Sequence, residues 1–353
     1  MANDSILGVH SARLKHAWSQ RKETAGAILY WLGIAHGYSA LTRPSGAIIL
    51  MYHSVAPDAL TAFIDPPNRV APRLFERQMA FLQRHRRVVS LSALLAQLEA
   101  GESPAGGTVC ITFDDGYRDV LTTAAPILER YGLPATMFVL TGHIDRTETM
   151  WADALHRMFA QRTAATLRLP AIGLAADIAD SRQHAAARSV LDKHLLEASY
   201  AERCAVLNEV ERQLKPGGTA PRLTMNWDEL RELARRFPRF EIGGHSRNHI
   251  DLHRHRGEVA RAEIAGCAED LRRELGREPQ HFAFPYQRWC EETRSLVRET
   301  GWRSALGKSK DYRIGLSSDR YVMARAETPM SMTALRFRTS AGFPGALALL
   351  GMH

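Results

Sequence analysis

Thr108-Val109-Cys110-Ile111-Thr112-Phe113-Asp114-Asp115-Gly116 joins an apolar run to two adjacent carboxylates. The run reads as a buried strand, and neighbouring like charges repel unless a cation or a shared task offsets them. A metal ion would do so. On the pair alone the plainer reading stands, in which Asp114 caps a following helix and Asp115-Gly116 makes a turn.

Three further polar clusters sit in the same kind of place. His53 follows Ala47-Ile48-Ile49-Leu50-Met51-Tyr52, His245 and His249 follow Phe240-Glu241-Ile242-Gly243-Gly244, and Pro285-Tyr286 follows His281-Phe282-Ala283-Phe284. In a barrel of alternating strands and helices the active site lies at the C-terminal strand ends, so these clusters would converge on one rim.

Working outward, helices are expected near Arg73–Arg84, Ser90–Ala100 and Tyr117–Tyr131, with a strand at Ala135–Leu140. After a long interruption the alternation resumes. It runs through helices near Trp227–Arg236, Glu258–Leu275 and Glu291–Thr300, the strands already quoted, and late strands at Arg303–Leu306 and Arg320–Ala324. The pattern is α/β: a distorted (β/α)7-8 TIM-like barrel with a helical insertion. The expected division is an N-terminal helical extension over 1–45, a barrel over 46–151 and 223–330, an alanine-rich helical insertion without strands over 152–222, and a tail over 331–353.

The 353 residues suffice for one barrel of about 250 residues plus additions. Hydrophobic residues at 45% and charged residues at 24% exclude bulk disorder. The four cysteines are widely spaced, which argues against a zinc ribbon or disulfide framework. A net charge of +8 favours an anionic partner such as a phospholipid surface, a phosphate-linked carrier or an acidic glycan. Its scatter, without interleaved aromatics, speaks against nucleic acid.

Thr24–Thr42 carries no formal charge and only just reaches spanning length. Its glycines and polar residues favour a helix packed on the domain, with an interfacial membrane helix second and secretion third. A cytoplasmic location follows as the expectation, with the inner face of the membrane as a candidate contact.

His245 and His249, four residues apart, can face one point. With one carboxylate they make a three-ligand site with open positions for water and substrate, suited to hydrolytic zinc. His253 and His255 fall in a basic run beyond the strand end and are set aside. Only one aspartate need bind metal, leaving the other to take a proton from an attacking water.

Thr112–Gly116 resembles the Thr-Phe-Asp-Asp-Gly motif of the polysaccharide deacetylases, the NodB-homology domain of carbohydrate esterase family 4, and His245–His249 resembles their His-Ser/Thr-x-x-His motif. The resemblance covers roughly residues 47–326 apart from the insertion, and implies removal of acetyl groups from N-acetylated sugars. It makes Asp115, His245 and His249 the metal ligands, for Zn²⁺ or alternatively Co²⁺, Ni²⁺ or Fe²⁺, and Asp114 the general base. Phe282–Tyr286 resembles the third motif, in which the Tyr286 N–H helps hold the oxyanion. Pro285, Tyr117 and Ser246, within or beside these motifs, are the expected substrate contacts.

Two departures stand out. Family members usually carry a base-orienting arginine where this chain has Ala283; Arg325 is a candidate replacement, although a surface arginine is the favoured reading. The late histidine that supplies the general acid is missing. Met51-Tyr52-His53 resembles the N-terminal Met-Tyr-His motif of the poly-N-acetylglucosamine deacetylases, which makes His53 the acid. Rival readings are a non-haem Fe(II) oxygenase, a non-catalytic glycan-binding barrel and a deformylase of a lipid-linked amino sugar. The partner class is an N-acetylated glycan; oligomeric state is left open.

Overall fold

Short runs rich in β-branched and aromatic residues become strands, and the amphipathic stretches between them become helices. The computed structural model describes residues 45–146, 149–310 and 312–340. In chain order the strands are β1 Ala47–Tyr52, β2 Ser54–Val55, β3 Arg69–Val70, β4 Arg87–Val88, β5 Thr108–Phe113, β6 Ala135–Val139, β7 Thr166–Leu169, β8 Leu174–Asp177, β9 Phe240–Gly244, β10 His281–Ala283 and β11 Ser304–Leu306. The α-helices are α1 Pro72–His85, α2 Leu91–Glu99, α3 Ala125–Arg130, α4 Trp151–Ala160, α5 Ser181–Glu197, α6 Tyr200–Leu214, α7 Trp227–Arg236, α8 Gly257–Leu275, α9 Glu291–Glu299 and α10 Met332–Arg338.

One parallel sheet runs β1-β5-β6-β9-β10-β11, with β4 beside the start of β5. All six residues of β5 are buried, as expected where both faces of a parallel sheet are covered. Register aligns the C-terminal ends: Tyr52 lies opposite Phe113, Val139 opposite Gly244, and Ala283 opposite Leu306. The residue after each strand therefore lands on a common rim.

The ring closes through an irregular segment. Met323 bridges Leu306 of β11, and Ala326 bridges Leu50 of β1. The Gly307 N–H donates to the Met323 carbonyl at 3.0 Å and the Met51 N–H to the Ala326 carbonyl at 2.9 Å. The strand expected at Arg320–Ala324 is thus reduced to single bridges, because the segment serves two neighbours at points three residues apart.

Helix boundaries follow local chemistry. The Ser90 hydroxyl accepts from the Ala93 N–H to start α2, and Asn226 and Glu229 form a reciprocal capping box on α7. The helix expected from Tyr117 begins one residue later. Tyr117 makes an antiparallel bridge to Thr224, helix starts at Arg118, and a π-helical turn over Val120–Ala124 leads into α3.

The insertion has its own apolar cluster, including Leu155, Met158, Leu167, Leu191 and Leu214. Burying each such side chain contributes about 1.5–3 kcal/mol. The structure corrects the purely helical expectation for 152–222, since β7 and β8 form an antiparallel hairpin with Leu169 opposite Leu174. Gly173 (φ 66°) supplies its left-handed turn. The long helical stretch also breaks at Ala198-Ser199, where Ser199 caps α6.

The stretch expected as a tail from residue 331 instead opens with α10, which buries Leu335 and Phe337. The Thr24–Thr42 segment and residues 341–353 lie outside the described residues. Among those described, no helix is long and apolar enough to cross a membrane.

Candidate active site

The rim loops are bent tightly. Of seven non-glycine residues with positive φ among the described residues, five lie at three strand ends: Asp115 (71°), Ser246 (69°), His249 (52°), Tyr286 (57°) and Gln287 (57°). A non-glycine residue held in the left-handed region costs about 1–3 kcal/mol, and such strain gathers at functional sites.

Asp115, His245 and His249 are all buried, and their donor atoms form the group among the described residues that could hold a metal ion. Asp115 Oδ1 lies 3.6 Å from Nε2 of each histidine and has no hydrogen-bond partner. With metal–ligand bonds of about 2.0–2.2 Å, neighbouring donors of a tetrahedron sit roughly 3.3–3.6 Å apart. The His245 ring is fixed by its Nδ1, 2.7 Å from the Ala283 carbonyl, which leaves Nε2 facing the aspartate.

Electrostatics agree with that donor set. Burial, reinforced by the charges of Asp114 and Asp153, drives the Asp115 carboxyl well above the usual range. Burial lowers both histidines, His249 well below its ordinary value. Neutral imidazoles are the ligand form, and a buried carboxylate without a counter-charge is what a cation would offset.

Asp114 is held differently. Arg325 Nη1 donates to Asp114 Oδ1 at 2.6 Å, with both side chains all but fully buried. Burial works to raise Asp114, but Arg325, with His245 and His53, outweighs it and holds the carboxyl below its usual range. Its other oxygen, Oδ2, lies 3.6 Å from His245 Nε2. The surface-arginine reading of Arg325 is overturned, since the residue is 1% exposed and its guanidinium also lies over the Phe138 ring.

His53 joins this group from the end of β1. Burial drives it down to about 4, partly opposed by Asp114, and its Nδ1 has no hydrogen-bond partner. At neutral pH the ring is uncharged. The Tyr286 ring packs 4.4 Å from that of His249, its hydroxyl donates to the His249 carbonyl at 3.0 Å, and Trp151 Nε1 donates to that hydroxyl at 2.7 Å.

The residues expected as substrate contacts are buried. Tyr117 is fully buried, with its hydroxyl donating to Asp153 at 2.6 Å. Ser246 is also fully buried, its Oγ accepting from the His249 N–H, and Pro285 is buried in the turn before Tyr286. The Tyr117 hydroxyl thus ties the turn after β5 to α4, and the Ser246 hydroxyl braces the loop that carries His249.

Trp151, Asp153, His143 and Arg203 were not among the expected site residues. His143 follows β6 by four residues, so the strand-end rule applied to β6 would have found it. For Trp151, Asp153 and Arg203, which lie on α4 and α6, no sequence pattern pointed to the rim.

The family profile described as polysaccharide deacetylase matches residues 101–168 and 170–305, more than half of the chain. This chain belongs to the polysaccharide deacetylase family. A Bacillus subtilis (strain 168) protein named for that family is 29% identical over 117 residues, 33% of this chain and 39% of its own length. A Staphylococcus aureus poly-beta-1,6-N-acetyl-D-glucosamine N-deacetylase is 36% identical over 76 residues, 21% of this chain and 26% of its own. The chain thus spans well under half the length of these curated relatives. Two solved structures share the fold. The Streptococcus pyogenes deacetylase PplD, in complex with acetate, has TM-score 0.54 and 18% identity over 84% of this chain and 99% of that one. IcaB from Ammonifex degensii has TM-score 0.53 and 17% identity over 86% and 98%.

Proposed function

We propose that the chain is a metal-dependent N-deacetylase acting on N-acetylated amino sugars of a polysaccharide, oligosaccharide or lipid-linked glycan. The observation that carries this reading is the pairing, at one buried rim, of the Asp115–His245–His249 donor set with a second carboxylate that has its own cation. Asp115, His245 and His249 would hold the ion, Zn²⁺ or a similar divalent metal. When bound there, it would polarise the amide carbonyl and favour ionisation of water.

The protein's own groups divide the remaining work. Asp114, ionised and anchored through Oδ1 by Arg325, takes the proton of the attacking water on Oδ2, the oxygen that faces the donor set. Arg325 fills the role of the arginine absent at Ala283. The Tyr286 N–H helps hold the oxyanion. His53 protonates the departing amine; because its ring is uncharged at rest, the proton it delivers is the one Asp114 has taken from the water, passed on during turnover. Acetate and a free amino sugar result.

The poly-N-acetylglucosamine deacetylase name among the relatives supports an amino-sugar polymer or its precursor. The net charge of +8 supports an anionic setting such as the inner membrane face. The test is acetate release from N-acetylglucosamine oligomers and lipid-linked sugars by native, chelated and Asp114→Asn protein. Release should occur only with the native form. Equal release from all three would sink the mechanism.

A further inference from the structure

Between the rim and helices α4 and α6 lies a cavity of about 290 Å³, close to the lower end of small-molecule sites at about 300 Å³. Its wall includes His143, Trp151, Arg157, Arg203, Cys204 and Glu211. Two of these residues connect it to the metal donors. Trp151 bonds the Tyr286 hydroxyl, and Arg203 Nη1 donates to the His249 carbonyl at 3.0 Å.

Arg203 is 3% exposed, yet no carboxylate pairs with it among the described residues. Its Nε donates to the Leu195 carbonyl at 3.0 Å and its Nη1 to the carbonyls of Asn248 and His249, while Nη2 is buried without a partner. Its guanidinium also lies over the Trp151 ring, 5.6 Å from the centroid. A buried cation met by carbonyl dipoles and a ring face, with no carboxylate, carries a desolvation penalty that an anion would offset. His143, 6% exposed, likewise leaves Nδ1 buried and unpartnered. Arg157 brings a second guanidinium, and Glu211, the acid of the wall, is already paired with it.

We propose that this cavity binds an oxyanionic substituent, phosphate or carboxylate, carried by the glycan whose acetamido group lies at the metal site. Arg203 Nη2 and His143 Nδ1 are the donors, and Arg157 offsets the charge of Glu211 in the same wall. The inference rests on the deacetylase reading for the position of the sugar, but not for the presence of the anion site. It gives the insertion helices a role in selecting substrate.

Cys204 offers a readout independent of turnover. It is half-buried in the cavity wall; Cys110 and Cys267 are buried, and Cys290, half-buried at the start of α9, is the internal control. Thiol modification of the full chain, mapped by peptide mass, is followed in inorganic phosphate and in chloride of equal ionic strength. Phosphate should slow labelling of Cys204 but not Cys290, and Arg203→Met should remove the protection. Arg157→Gln, away from the His249 loop, should weaken it if Arg203→Met fails to fold.

Kinetics then separate the sources. N-acetylglucosamine 1-phosphate and an N-acetylated oligosaccharide bearing a uronate are compared with a neutral oligomer. KM for the charged sugars should be lower by about tenfold, the weight of one charge-assisted hydrogen bond, and Arg157→Gln should narrow the gap. Whichever charged sugar shows the larger drop identifies the natural anion. Identical Cys204 labelling in phosphate and chloride, with equal KM for neutral and charged sugars, would overturn the proposal. Protection of Cys204 without acetate release from any sugar would refute the deacetylase reading while upholding the anion site.

Discussion

Replacing Arg325 with methionine removes the one cation bonded to Asp114 while keeping much of the side chain's bulk. Both partners are almost completely buried, at 1% and 2% side-chain exposure, and the bond is 2.6 Å. Breaking a buried pair from one side costs about 3–5 kcal/mol, since the surviving charge is left uncompensated. Asp114→Asn should cost a similar amount by stranding the guanidinium. If the two sites were independent, the double variant would lose roughly 6–10 kcal/mol. The pairing means that it should lose at least about 2 kcal/mol less, because neither uncompensated charge remains. Urea denaturation of the four proteins measures this coupling. Metal content provides the control: Arg325→Met should bind one ion per chain like the native protein, while kcat falls by about 10²–10⁴ through loss of an oriented base. An additive double variant, or an Arg325→Met protein with native kcat, would refute the assignment of Arg325 to Asp114.

Two further outcomes follow from packing and burial. Asp153, fully buried and raised to about 7 chiefly by burial, binds its proton more tightly folded than unfolded. Its contribution is therefore full below about pH 4 and lost as pH rises towards 7, a span worth up to about 4 kcal/mol. Asp153→Asn should flatten the fall in stability across that window, and parallel native and variant curves would contradict this. In β9, a Cβ on Gly244 would lie 2.5 Å from Trp302 Cη2 and 2.7 Å from Cys267 Sγ. Gly244→Ala should accordingly lower the denaturation midpoint by the equivalent of about 1–3 kcal/mol, where an unchanged midpoint would show that Trp302 yields freely.

The strands that carry the site were legible because each is a short apolar run ending in a polar residue, and burial on both faces makes such runs nearly continuous. The donor set was legible for a related reason: its residues lie in the loops that open directly after β5 and β9. The β7–β8 hairpin was hidden because its strands have four residues each, Thr-Leu-Arg-Leu and Leu-Ala-Ala-Asp, and leucine, alanine and arginine also suit helices. Arg325 could not be ranked from sequence. Its partner lies 211 residues away, and its segment lacks a strand's periodicity because it serves two edges at once. The burial of Tyr117 and Ser246 was not legible, because proximity to a motif says nothing about which way a loop turns. Positive φ at Asp115 and Ser246 accompanies side chains that are buried.

The segment that bridges β11 to β1 also fixes the order in which this site can become competent. It is the last part of the ring to be synthesised, and Arg325 rides on it. A chain halted anywhere between His249 and Arg325 already contains every proposed metal ligand, but in it Asp114 and Asp115 are neighbouring carboxylates with no guanidinium to separate their behaviour. Synthesis proceeds from the N-terminus, so on the proposed mechanism the ligand residues are made before the arginine that orients the base. An unfinished barrel would then carry the ligand residues with an unaligned base, and would be silent rather than hydrolyse at random.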